Sequence, residues 1–152
     1  MNLTDANVIA QIGGMFLTSF AAATLVPFQS EVVFVALQIA GTLPLVLIVA
    51  VASLGNTLGA VVNYAMGLGI ERFQDRRWFP VNVAQLARAQ RWYARWGVWS
   101  LLMSWAPFIG DPLTLIAGIM REPFWRFLGI VTLAKGGRYI ITALLTFGWI
   151  NM

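Results

Sequence analysis

The chain has 152 residues, 59% of them hydrophobic and 11% charged, with ten basic against six acidic side chains and a mean hydropathy of +0.76. A water-soluble domain carries about a quarter charged residues, so this composition excludes one and identifies a single-domain integral membrane protein. The absence of Cys and His excludes disulfides and thiolate nucleophiles and removes the commonest general base and metal ligand; the acidic residues are scattered, so neither a metal nor another cofactor is expected.

Val8 to Val26 is apolar and is ended by Pro27. Asp5 is the one charge before Gly14, so the positive start of a secretory signal peptide is absent. Glu31 to Gly41 is a second apolar run, closed by Pro44; it falls short of the roughly 20 residues that a crossing needs. The two runs are expected to be the arms of a re-entrant hairpin, with residues 28–43 as a short full span the rival layout. Leu45 to Ile70 is long enough to cross with some tilt.

Arg72, Arg76 and Arg77 follow, with Trp78 as an interfacial anchor. All ten basic residues lie at Arg72 or later, six of them between Arg72 and Arg95. A basic loop abutting apolar spans is the positive-inside pattern. It points to a multi-pass inner (cytoplasmic) membrane protein with residues 71–96 in the cytoplasm, and not to a nucleic-acid partner. Val83 to Trp96 reads as a surface helix: at about 100° per residue Arg88, Arg91 and Arg95 share one face, and Leu86, Tyr93 and Trp96 lie on the other. The three arginines are expected to meet anionic headgroups at the membrane surface.

Gly97 to Met120 is apolar but holds Pro107, Gly110, Asp111 and Pro112 at its centre, which opposes a straight helix. Arg95 precedes it, and Arg121 and Arg126 follow. A hairpin that enters and returns keeps all of these on the cytoplasmic side. Phe124 to Ile150 is then the last span. An acidic residue follows a Pro-Phe pair at the same offset in both interrupted regions: Pro27-Phe28-Gln29-Ser30-Glu31, and Pro107-Phe108-Ile109-Gly110-Asp111 lying 80 positions later. Pro27, Ser30, Pro107, Gly110 and Pro112 are the predicted hairpin tips. The expected fold is therefore all-α, an inverted repeat of a re-entrant helical hairpin plus a transmembrane helix (about 8–70 and about 97–150), with a cytoplasmic linker and the amphipathic helix (71–96) between the halves.

A charge within the bilayer is costly and marks function by default. Glu31 and Asp111 are candidate ion or proton sites between the tips; equally, each carboxylate suits the N-terminus of the half-helix it opens. Lys135 and Arg138, three apart and on one face of the last span, are expected to pair with these acids or to bind an anionic headgroup; snorkelling to the interface is the alternative. Asn56 and Asn63 share a face of the span 45–70 and suit interhelical hydrogen bonds, Asn56 being also a candidate for ion, proton or substrate binding, and Gly55-x3-Gly59 beside them is a helix-packing signal.

These residues resemble the DedA superfamily, also called the SNARE-associated Golgi protein or VTT-domain family, and most of all its small YqaA-like branch. The likeness covers roughly residues 16 to 140. It rests on Ser30-Glu31 after a proline-containing turn, Gly55-x3-Gly59-x4-Tyr64-x2-Gly67, Arg95-Trp96-Gly97, Pro107, Ala117-Gly118, Arg121 and Pro123-x3-Phe127. It implies two opposed re-entrant hairpins and transport: movement of lipids between leaflets, undecaprenyl phosphate among them, or proton-dependent transport. The family's first-hairpin acid falls on Glu31. One departure stands out. The family pattern Arg-Phe-x-Pro-x-x-Arg reads Ser104-Trp105-Ala106-Pro107-Phe108-Ile109-Gly110 here, so both arginines of a natural phosphate clamp are missing.

The expected function is a DedA-type transporter of a lipid or small charged solute, coupled to a proton or monovalent cation through Glu31 and Asp111. The expected partners are membrane lipids, anionic or polyprenyl-phosphate among them, and so thin a protomer suits a homodimer. The alternatives are a membrane assembly or quality-control factor and, last, a lipid-phosphate enzyme. No enzyme is expected, because an intramembrane phosphatase needs a nucleophile or base beside an arginine clamp, and an intramembrane aspartyl protease needs a Gly-x-Gly-Asp setting that Phe108-Ile109-Gly110-Asp111 lacks.

Overall fold

A computed structural model describes residues 5–24, 30–69, 83–106 and 108–150. The predicted tip residues Pro27 and Pro107, and the loop residues Arg72, Arg76, Arg77 and Trp78, lie outside these. Among the described residues the chain forms six α-helices and one 3₁₀ stretch, with no strand: α1 (Ala6–Thr24), α2 (Ser30–Ala40), α3 (Leu45–Leu68), α4 (Val83–Trp96), the 3₁₀ stretch (Gly97–Trp105), α5 (Gly110–Ile119) and α6 (Phe124–Ile150).

Local chemistry sets the ends. Gly41 closes α2 with φ 63°, a left-handed conformation that suits glycine. Pro44 then precedes α3, and its carbonyl accepts the first helical N–H groups, from Leu47 and Ile48. Gly97, at φ 58°, ends α4 after Arg95, a cation in the last turn where the helix dipole favours one. α5 carries Asp111 in its first turn and Pro112 beside it; the first turn tolerates proline because its N–H groups have no helical acceptor. It closes in a Schellman motif. Glu122 N–H donates to the Ala117 carbonyl and Arg121 N–H to Gly118, with Arg121 itself at φ 54°.

Among the described residues three helices are long and apolar enough to cross a membrane: α1, α3 and α6. The spacing predicts two full spans, with α1 as a hairpin arm, yet its 19 residues reach about 28 Å. α2, with 11 residues, and α5, with 10, reach only about 15–16 Å, half of a hydrocarbon core of roughly 30 Å.

α3 is the hub. Gly55 and Gly59 seat α1 against it: a Cβ on Gly55 would lie 2.6 Å from the Phe16 carbonyl oxygen, and one on Gly59 would lie 2.6 Å from both Ala23 Cβ and the Phe20 carbonyl. Gly67 and Gly118 do the same for α5, whose backbone crosses α3 so closely that a Cβ on Gly118 would run into the Tyr64 carbonyl. α6 packs antiparallel to α3. One apolar cluster holds Ala60, Tyr64, Phe127 and Val131 with Tyr93 and Leu113; the other holds Ile48, Ala52, Tyr139 and Ala143 with Met15 and Phe34. Along both long helices, Asn56 and Lys135 fall between the two clusters.

The surface helix α4 exposes Arg88, Arg91 and Arg95 and buries Ala89 and Tyr93. Trp96, placed by the sequence on the face away from the arginines, is 58% exposed, with the Arg95 guanidinium 5.7 Å from its ring. Tyr93 ties α4 down by donating to Glu122 Oε2 at 2.7 Å. Burial, reinforced by that hydrogen bond and the Glu122 charge, pushes the phenol well above its ordinary range, so it stays protonated and keeps donating. Tyr64 donates to the Glu122 carbonyl at 2.6 Å.

Candidate functional site

The four charged residues singled out within the apolar sequence converge. Lys135 Nζ lies 3.4 Å from Asp111 Oδ1 and donates to Asn56 Oδ1. Arg138 Nη2 lies 3.1 Å from Glu31 Oε1. The acids come from the first turns of the two short helices, α2 and α5, and both cations come from one face of α6. Each acid meets its own cation, and the cations are one helical turn apart, so the quartet is neutral. Lys135 is 2% exposed, whereas the side chains of Glu31 and Asp111 are 37% and 42% exposed. The carboxylates are thus the accessible members of each pair.

Depth follows from position. Asn56 is the twelfth residue of the 24 in α3, and Lys135 the twelfth of the 27 in α6. Arg138 lies some 21 Å along α6 from Phe124, and it pairs inward with Glu31 instead of reaching the interface. Its Nη1 also donates to the Trp105 carbonyl at 3.2 Å, which draws the end of the 3₁₀ stretch into the cluster.

Tyr139, fully buried, is the residue that sequence reasoning missed. Its hydroxyl lies 2.8 Å from Ser30 Oγ, accepts from Asn56 Nδ2 at 3.1 Å and donates to Ser19 Oγ at 3.4 Å. It joins α1, α2, α3 and α6. A signal was present: Lys135, Arg138 and Tyr139 stand at i, i+3 and i+4, one helix face, and a tyrosine inside a span needs a partner for its hydroxyl. A second polar knot lies nearby. Asn63 Nδ2 donates to the Ala23 carbonyl at 2.7 Å and to Thr114 Oγ1 at 3.3 Å, while Thr114 Oγ1 donates to the Asp111 carbonyl at 2.7 Å.

Of the predicted tip residues that are described, Ser30 is in the Tyr139 knot. Gly110 packs against the Ser104 backbone, where a Cβ would collide, and Pro112 is buried in the first turn of α5. Arg88, Arg91 and Arg95 lie on α4, apart from the cluster. Several buried polar atoms have no hydrogen-bond partner among the described residues, among them Arg138 Nε, Ser104 Oγ, Thr57 Oγ1 and Asn63 Oδ1. Buried polar groups are normally satisfied, so Arg138 has capacity for one further polar contact. No group of three or more acidic side chains is placed to hold a metal among the described residues.

A VTT-domain family model matches residues 26–147, which include every residue of the quartet. The chain is 36% identical over 132 residues to the inner membrane protein YqaA of Escherichia coli (strain K12), covering 87% of this chain and 88% of that protein. It is 32% identical over 133 residues to a Haemophilus influenzae protein, covering 83% and 81% respectively, and 24% identical over 125 residues to a protein of Rickettsia prowazekii. No solved structure matches. With three helices able to cross and relatives of this kind, this is an inner-membrane protein, and it belongs to the VTT-domain family of the DedA superfamily.

Proposed function

We propose that the chain is a transporter of a lipid or small charged solute, coupled to a proton or monovalent cation, and not an enzyme. In this reading α2 and α5 are the inner arms of two re-entrant hairpins that enter from opposite leaflets, and the halves form an inverted repeat. The carrying observation is that Glu31 and Asp111, from two different short helices, each meet a cation on the same face of α6 at mid-depth. Broken helices meeting near the midplane, with charge at the break, are how secondary transporters build a site. Arg88, Arg91, Arg95, Arg121 and Arg126 lie at the other end of the molecule from the Ile48–Ala143 cluster, and by the positive-inside rule that end is cytoplasmic.

The chemistry is a competition for two cations. While both carboxylates are ionised, Lys135 and Arg138 are neutralised and the site presents no net charge. Protonation of either accessible carboxylate releases its cation, which then attracts an anionic group. Arg138, with donors on Glu31 and Trp105, offers a guanidinium in place of the two family arginines that Ser104 and Gly110 replace. The test is reconstitution in liposomes of bacterial inner-membrane lipid extract, with lipid scrambling and internal pH followed across an imposed pH gradient. Wild-type protein should move lipid or dissipate the gradient, and Glu31→Gln and Asp111→Asn should not, while remaining folded. Wild-type rates in both variants would refute transport through this site. They would favour an assembly role, in which the same ion pairs only brace helices.

A further inference from the structure

A concave feature outside the charged cluster has no role in the proposed mechanism. A groove of about 600 Å³ lies between the 3₁₀ stretch and the first turns of α6, walled by Val98, Trp99, Trp125 and Leu133, with Gly129 on its floor and Arg126 on its edge. Both elements start at the arginine-bearing end and run the same way, since Trp105 at the far end of the 3₁₀ stretch reaches Arg138. The groove therefore descends from the interface into the apolar depth. Seven residues separate Arg126 from Leu133, about 10 Å of helix, or two thirds of one leaflet's roughly 15 Å of hydrocarbon.

We propose that this groove is a binding site for one anionic phospholipid of the arginine-side leaflet, with an acyl chain laid over Gly129 between Trp99 and Trp125 and the phosphate on Arg126. Three observations select that occupant. The walls are apolar on a helix long enough to cross the membrane, so the groove faces acyl chains. Trp99 and Trp125 are 66% and 79% exposed at the interfacial end, the depth at which tryptophan anchors. The headgroup end is positive: Arg126 is 62% exposed and commits one N–H to Glu122 Oε1, at 3.4 Å. The other Glu122 oxygen is held by Tyr93. Arg121 and Arg95, both exposed, stand five residues before Arg126 and three before Val98 in the chain. A guanidinium binds phosphate through parallel hydrogen bonds, and clustered arginines favour a net negative headgroup over a zwitterionic one. The inference does not rest on transport by the central cluster and holds if that reading fails.

The test uses the tryptophans as reporters. The purified protein is placed in phosphatidylcholine vesicles containing brominated phosphatidylglycerol or, in parallel, brominated phosphatidylcholine at equal mole fraction, and fluorescence quenching is titrated. Half-maximal quenching should need about fivefold less of the anionic lipid. Gly129→Leu fills the groove, and because a Cβ there meets nothing within 4 Å the fold is retained; it should weaken quenching by both lipids. Arg126→Gln should abolish the preference and leave quenching by the zwitterionic lipid unchanged. Equal quenching of the wild type by both lipids would overturn the proposal, as would full anionic preference in Gly129→Leu. So would native mass spectra in which Gly129→Leu changes a dimer to a monomer while its lipid preference persists, since the groove would then be a contact between two copies.

Discussion

Lys135 is the residue on which the energetics of the site turn. It is almost wholly buried, and its charge is tolerable there only because Asp111 and Asn56 face it. Breaking a buried pair from one side leaves an uncompensated charge, whereas replacing both members with uncharged groups of similar volume is often neutral or stabilising. Asp111→Ala should therefore lower stability by about 1–3 kcal/mol, less than for a fully enclosed pair because the Asp111 side chain is partly exposed. Replacing both members, as Asp111→Asn with Lys135→Met, should leave stability within about 1 kcal/mol of wild type or raise it. Thermal unfolding of the detergent-solubilised variants measures both. Tyr139→Phe should cost about 1–3 kcal/mol in the same assay, because Ser30 and Asn56 lose their shared partner inside the protein. The charged members of this site were legible in the sequence because an ionisable residue in an apolar run is conspicuous. Which acid meets which cation was not, since the pairing depends on where α2 and α5 dock on α6. Tyr139 was hidden because tyrosine also reads as an ordinary interfacial or packing residue.

At the scale of the elements, close backbone approach decides the packing. Gly67 and Gly118 let α3 and α5 touch main chain to main chain, and this contact carries Asp111 to the depth of Lys135. Gly118→Leu should separate the two helices, destabilising the protein by at least about 1–3 kcal/mol and weakening the Asp111–Lys135 pair, which a cross-link between Cys substituted at those two positions would report as a slower reaction. Arg121 sits in a left-handed conformation that costs a side-chain-bearing residue about 1 kcal/mol; Arg121→Gly should recover a similar amount, again read by thermal unfolding. The glycine pair at Gly55 and Gly59 was readable as a packing motif, although not that α1 was its partner. The 3₁₀ stretch was not readable at all. Its nine residues exceed the usual three or four, and the composition Gly97-Val98-Trp99-Ser100 through Trp105 carries no period that separates it from an α-helical arm.

For the whole molecule, the sequence pattern and the structure agree on a chain that is all-helical among the described residues, with long apolar helices, exposed arginines gathered at one end and the remaining cations near the middle of α6. Composition alone carried the membrane assignment. The 80-residue offset between the two Pro-Phe motifs drew attention to α2 and α5 as matching short helices. Length was a weaker guide: α1 was read as an arm, and its 19 residues suffice to cross. The central claim is that the four charges at mid-depth serve transport and are not needed to hold the helices together. The most direct measurement is gradient-driven proton flux in inner-membrane-lipid liposomes for the double variant Asp111→Asn with Lys135→Met, taken alongside its unfolding temperature. The expected result is flux reduced to that of protein-free liposomes in a protein that unfolds at or above the wild-type temperature; wild-type flux in that folded variant would contradict the claim.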